Sequence, residues 1–215
     1  MNIRSRMFFS MIVFLLVQVA PAQMPNSSPF SADFQIASTR GDNGSRDING
    51  QVYAATGRIR VNMASAGHRS ALITDLAAQT SDILLVDQQM YLEYKASEAP
   101  NRGQDTPAQD LKPYDPNQPC ANRPDVTCKK IGVEEVSGRT CDHWDLVDKQ
   151  GKVVNLWIDE KLHFPVKVTT SDSTMLLTDI MEGEPDAGLF QIPANYEKLN
   201  IGHLKTNGKG RPPQK

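Results

Sequence analysis

The stretch from Cys128 to Tyr196 constrains the fold most strongly, because apolar and polar residues alternate in it between short turn-forming breaks. Successive side chains of a β-strand point to opposite faces, so this alternation predicts an antiparallel meander. The breaks at 137–138 and 148–152 each contain a glycine suited to a tight turn.

The turns fix a testable register. A two-residue turn at 137–138 pairs Val136 with Arg139 and Ile131 with Trp144, and the next break pairs Trp144 with Leu156. One face then carries Ile131, Val133, Trp144, Leu146, Val154, Leu156 and Ile158. The other carries Glu134, Cys141, His143, Asp145, Asn155, Trp157 and Asp159. The meander is therefore expected to have one apolar face and one mostly polar face.

The first half of the chain has the same rhythm. Strands are predicted at 30–37, 48–55, 58–63, 70–75, 81–87 and 90–95. Pairing Ala55 with Arg58 places Val52, Val61 and Met63 on one face. Leu85 and Leu92 align in the last hairpin of this half, where Leu84, Val86 and Tyr91 make the opposite face apolar too. A covering segment is expected over that opposite face.

The ends of the chain differ from its middle. Arg4 and Arg6, the apolar run 7–19 and the small residues 20–22 predict a signal peptide at 1–22, and hence export to the periplasm or the cell exterior. We expect a disordered lead-in at 23–29, one domain at 30–199 and a disordered tail at 200–215. The segment 96–126 is an irregular insert in which Thr106-Pro107 favours a short helix.

The charge and the ends also limit the partners. Removal of Arg4 and Arg6 with the signal leaves 21 basic and 25 acidic residues, a formal net charge of −4, which argues against nucleic acid or an anionic membrane surface as the main partner. No stable membrane span is expected once the signal is removed.

An exported chain with three cysteines leaves one unpaired. On the predicted register Cys128 lies ~20 Å from Cys141, which is too far for a bridge. Cys120–Cys128 closes a short loop and is favoured over Cys120–Cys141. Cys141 would then be a lone thiol.

Catalytic signals are weak. Cys141 and His143 share a face but lie ~6–7 Å apart, without a glycine-rich nucleophile turn. His68, His143, His163 and His203 show no paired ligand spacing, and no phosphate-binding loop is present. The sequence therefore predicts a protein that is not an enzyme and has no metal and no cofactor.

Four sequence patterns carry a family resemblance: TGRIRVNM, ITDLAAQTSDILLVDQQMYLEY, IGVEEVSGRTCDHWDLVDKQGKVVNLWID and GEPDAGLFQIPANY. Together they resemble a bacterial secreted domain family of unknown function that is similar to the LolA/LolB-type outer-membrane lipoprotein carrier superfamily. The resemblance implies an all-β fold with minor helix, a single antiparallel meander curled into an open half-barrel. It also implies that the apolar face is a concave lining for acyl chains. The candidate lining residues are Val52, Val61, Met63, Leu85, Leu92, Ile131, Trp144, Leu156 and Val168.

These features predict a non-enzymatic extracytoplasmic binding or carrier domain for a lipid or another apolar ligand, linked to lipid or lipoprotein handling in the cell envelope. The expected partners are a lipid, an acyl chain or a lipoprotein. The alternative is a structural or interaction β-domain whose interior is filled by its own side chains.

Overall fold

The computed structural model describes residues 28–38, 48–95, 118–121 and 125–199. The predicted signal peptide, the tail at 200–215 and the short helix at Thr106-Pro107 lie outside these residues, as do most of the lead-in and most of the insert.

The described residues form twelve strands and two short 3₁₀ helices, Val86–Gln88 and Ala187–Phe190. The strands are β1 Phe30–Ser38, β2 Ile48–Ala55, β3 Arg58–Ser65, β4 His68–Asp75, β5 Thr80–Leu85, β6 Met90–Lys95, β7 Val126–Val136, β8 Arg139–Asp148, β9 Val153–Asp159, β10 Pro165–Thr169, β11 Ser173–Glu182 and β12 Glu197–Lys198. The predicted strand at 81–87 thus ends early, because its last residues turn into the first 3₁₀ helix.

All twelve strands belong to one sheet, in the order β12-β6-β5-β4-β3-β2-β1-β11-β10-β9-β8-β7. Two meanders, β1–β6 and β7–β11, meet where β1 pairs with β11. Neighbouring strands are antiparallel except for β12, which runs parallel to β6. The sheet does not close into a barrel, since β12 and β7 are its two ends. The predicted all-β, open half-barrel fold is confirmed.

Most of the predicted hairpin register is confirmed. Val136 pairs with Arg139, and Trp144 with Leu156. The turn at 137–138 has positive φ at both residues, 51° and 72°, as a tight two-residue hairpin requires.

The predicted pairing of Ile131 with Trp144 is wrong. A β-bulge between Lys130 and Gly132 inserts one residue into β7, so Lys130 lies opposite Trp144 instead. Ile131 is the extra residue and has no cross-strand partner on β8.

Most of the main core lies on one face of the sheet. The fully buried side chains on it come from both meanders, and the loop between β9 and β10 contributes Leu162 and Phe164. The Phe30 and Phe164 rings pack edge to face with centroids 5.0 Å apart. The centre of the apolar face is thus covered by this loop and by the packing of side chains from the two meanders.

A second, smaller core lies on the opposite face of the first meander, around Ala71, Ile73 and Leu84. Residues after β11 cover it: Phe190 is buried there, and Tyr196 packs against it. The backbone N–H groups of Glu197 and Leu199 donate to the carbonyls of Gln89 and Tyr91. The covering segment that the sequence predicts over this face is therefore present.

The Cys120–Cys128 disulfide is formed, with the two Cα atoms 6.0 Å apart, and Cys141 is free and buried. The favoured cysteine pairing is confirmed.

Gly50 on β2 is required by close packing. A Cβ atom there would lie 2.0 Å from the backbone oxygen of Asn62 and 2.6 Å from the Phe34 ring. We expect Gly50→Ala to lower the free energy of unfolding by about 1–3 kcal/mol, because neither neighbour moves without disturbing the sheet. Urea-induced unfolding measures this.

Gly132→Ala is the matched control, because a Cβ atom at Gly132 meets nothing within 4 Å. It should change the free energy of unfolding by less than about 0.5 kcal/mol. An equal loss of unfolding free energy in Gly50→Ala and Gly132→Ala would show that close packing does not require glycine at position 50.

Candidate functional site

The predicted lining residues fall into two groups that differ in burial. Val52, Val61, Leu156 and Val168 share the apolar face and are buried in the main core. They are packed against neighbouring side chains, so this part of the apolar face is buried and offers no open surface to a ligand.

Met63, Leu85, Leu92 and Trp144 lie on the same face but are only half-buried. Leu85 and Leu92 belong to β5 and β6, where Ile83 pairs directly with Leu92 and is also half-buried. The apolar face is therefore closed at its centre and partly open towards β5 and β6. Trp144 lies beyond the centre, in the second meander, and packs against the main core.

Ile131 differs from the other predicted lining residues. It lies in the bulge of β7 and is 46 % exposed. The structure therefore does not bring Ile131 into the apolar face beside Trp144.

A charged pair adjoins Trp144, and the sequence analysis missed it. Lys130 Nζ lies 2.7 Å from Asp142 Oδ1 and 5.9 Å from the centre of the Trp144 ring. Asp142 is only 6 % exposed, and Trp144 Nε1 is buried with no hydrogen-bond partner among the described residues. A buried carboxylate needs a partner such as this ammonium group. Gly132 was the available signal, since an isolated glycine within a strand often marks a bulge.

The opposite face of β8 and β9 carries a polar and aromatic cluster. The His143 and Trp157 rings stack with centroids 4.2 Å apart, and Lys167 Nζ lies 4.1 Å from the centre of the Trp157 ring. Glu134 accepts a hydrogen bond from Trp157 Nε1 at 2.8 Å and lies 2.8 Å from His143 Nδ1. These hydrogen bonds, that of Trp157 first, lower the pKa of Glu134 below its ordinary value.

Cys141 does not have the surroundings of a nucleophile. Burial, followed by the negative charge of Asp159, raises the pKa of its thiol to about 12. Asp159 is itself held by Arg139, whose Nε donates to Asp159 Oδ2 at 2.5 Å. Within the described parts of the chain, no group of three or more His, Cys, Asp or Glu side chains is arranged to hold a metal ion.

A groove of about 660 Å³ lies mainly on the polar face of β1–β4. Its lining includes the amide side chains of Gln35, Asn49, Gln51 and Asn62 and the guanidinium group of Arg60. Met63 is the predicted lining residue that borders it. This groove is therefore distinct from the apolar lining that the sequence predicts.

No helix in the described ranges has the length and apolar character needed to cross a membrane.

No protein-family model matches the chain, and no curated protein is similar to it in sequence. Solved structures do share its fold. An uncharacterized conserved protein from Thermus thermophilus matches with a TM-score of 0.53 at 9 % identity, covering 81 % of this chain and 91 % of the other. This likeness is one of fold alone.

Two further structures match less closely. MucB in the Pseudomonas aeruginosa MucA/MucB complex gives a TM-score of 0.49 at 15 % identity, over 81 % of this chain and 59 % of that one. A LolA superfamily protein from Nitrosomonas europaea gives a TM-score of 0.39 at 11 % identity, over 77 % of this chain and 91 % of that one.

We expect the Cys141 thiol to resist modification in the folded protein. With its pKa at about 12, only about one molecule in ten thousand carries a thiolate at pH 8. A colorimetric thiol reagent should therefore react with it only after denaturant is added. Rapid reaction of one equivalent in native buffer would contradict the assigned burial.

The lowered pKa of Glu134 makes stability depend on pH. Because the folded-state pKa lies below the ordinary 4.5, the contribution of Glu134 is present above that value and is lost as the pH falls through the folded-state pKa. The difference in free energy of unfolding between the wild type and Glu134→Gln should shrink as the pH falls from about 6 to about 3. Urea unfolding followed by tryptophan fluorescence measures it. If this difference in unfolding free energy does not change with pH, the carboxylate charge of Glu134 does not contribute to stability.

Proposed function

We propose that this protein is a non-enzymatic extracytoplasmic binding domain whose half-buried apolar patch holds a lipid or another apolar ligand. The patch is defined by Met63, Ile83, Leu85 and Leu92. Its continuity with the buried core is the observation that carries the proposal, because one apolar face runs from a fully buried centre to a partly open flank.

The energetics favour an acyl chain over a polar ligand. Each methylene that leaves water for such a surface contributes about 0.8 kcal/mol. In the hairpin of β5 and β6, Ile83 lies opposite Leu92 and Leu85 lies opposite Met90, so apolar side chains adjoin one another across the two strands.

An extracytoplasmic location is supported by the Cys120–Cys128 disulfide, since such bonds persist mainly in oxidising compartments. Handling of lipids or lipoproteins in the cell envelope is the role that this location and an apolar ligand together would serve.

A domain filled by its own side chains is the second candidate. The complete burial of Val52, Leu156 and Phe164 favours it, since the centre of the apolar face is already packed. The two candidates differ in whether the patch at β5 and β6 takes up a ligand from solution.

Fluorescent fatty acid binding tests the proposal. We expect saturable binding to the wild type and a roughly tenfold weaker affinity for Leu92→Gln, because one apolar side chain is lost from the patch. Mass spectrometry of organic extracts should also find lipid with the protein purified from its native envelope.

Lys95→Gln is the control, because Lys95 is an exposed residue of the same strand whose side chain points to the opposite face. It should bind like the wild type. If the wild type neither binds the fatty acid nor retains any lipid, the self-filled domain is the correct account.

A further inference from the structure

β7 forms an edge of the sheet whose outer side no described strand pairs with. It is 11 residues long, the longest strand described. The other end of the sheet is covered by the chain itself, because β12 pairs with β6 there. A long edge strand with unpaired backbone N–H and C=O groups is a template for another strand.

Apolar side chains are exposed along this edge. Ile131 is 46 % and Val133 56 % exposed, although both are large and hydrophobic. The same strand carries charge on either side of them, as Lys129 and Lys130 precede and Glu134 and Glu135 follow.

The charges are arranged in two blocks of opposite sign around Gly132. If two copies of β7 lie antiparallel about this point, the lysine block of each copy lies beside the glutamate block of the other. Cross-strand pairs of opposite charge stabilise a sheet, whereas like charges destabilise it.

The bulge selects the register. Directly opposed residues must point to the same side of the sheet. Lys129 and Glu134 both lie on the face of Cys141, whereas Lys130 and Val133 both lie on the face of Trp144. An antiparallel pair with Glu134 of one copy opposite Lys129 of the other also sets Val133 of the first copy opposite Lys130 of the second. Both pairs therefore satisfy this condition. This arrangement joins opposite charges twice, once on each side of the axis.

We propose that β7 is a homodimer interface, in which two copies of this chain pair antiparallel through β7 about a two-fold axis near Gly132. The two sheets then continue into one another, and the exposed Ile131 and Val133 of each copy gain cross-strand neighbours. One pair of strands buries a small area, so the dimer dissociates on dilution. The inference is independent of the proposed ligand.

Disulfide trapping tests the axis. A Cβ atom at Gly132 meets nothing within 4 Å, so Gly132→Cys leaves the fold intact. Under mild oxidation we expect this variant to form a covalent dimer. The control is Val153→Cys, a residue of β9 that is 41 % exposed and lies away from the axis. Equal cross-linking of the two variants, or none of Gly132→Cys, would overturn the proposal.

A charge-exchange experiment tests the pairing itself, with Lys129→Glu as one variant and Glu134→Lys as the other. Sedimentation velocity at low salt should show concentration-dependent dimers of the wild type. The dimer dissociation constant should rise roughly tenfold in each variant alone, because like charges then face each other. An equimolar mixture should regain the dimer, because opposite charges are again matched across the axis.

Thermal unfolding of each variant establishes that it is folded, and the recovery in the mixture shows that both are competent to bind. A wild type that stays monomeric at all concentrations, or a mixture no more dimeric than its components, would overturn the interface.

Discussion

The pairing of β1 with β11 holds the molecule together, because it is the contact through which the two meanders become one sheet. Phe34 lies opposite Leu177 and Ile36 opposite Met175, so residues from distant parts of the chain share one apolar face. Without this pairing each meander would leave its apolar face in water. The main core, to which both meanders contribute, follows from it.

The loops and segments that pack on this single sheet cover its parts unequally. The proposed ligand site and the proposed dimer interface lie where the cover is least. Phe164 and its loop close the centre of the apolar face, and Phe190 with its segment closes part of the opposite face. Leu85 and Leu92 receive less cover and stay half-buried. The edge at β7 receives no described strand, whereas β6 is paired with β12.

Local features of the fold were predictable from the sequence, and non-local ones were not. Glycines at 138 and 151 fix the turns and thereby the hairpin register, so the face shared by Trp144 and Leu156 was predicted correctly. The bulge at Ile131 changes that register by one residue, and alternation alone does not reveal it. The pairing of β1 with β11 joins residues from opposite ends of the domain, for which hydrophobic patterning names no partner. The same limit applies to burial, since Val52 and Leu92 look equivalent in sequence and differ in what covers them.

The position of a bound ligand on the sheet shows most directly whether the patch at β5 and β6 is the binding site. Methyl-resolved NMR of the protein titrated with a saturated fatty acid reports on both faces in one experiment. We expect chemical-shift changes and ligand contacts at the methyl groups of Met63, Leu85 and Leu92. Changes centred instead on Ile73 and Leu84, which lie beneath the C-terminal segment on the opposite face, or no changes on either face, would contradict this proposal.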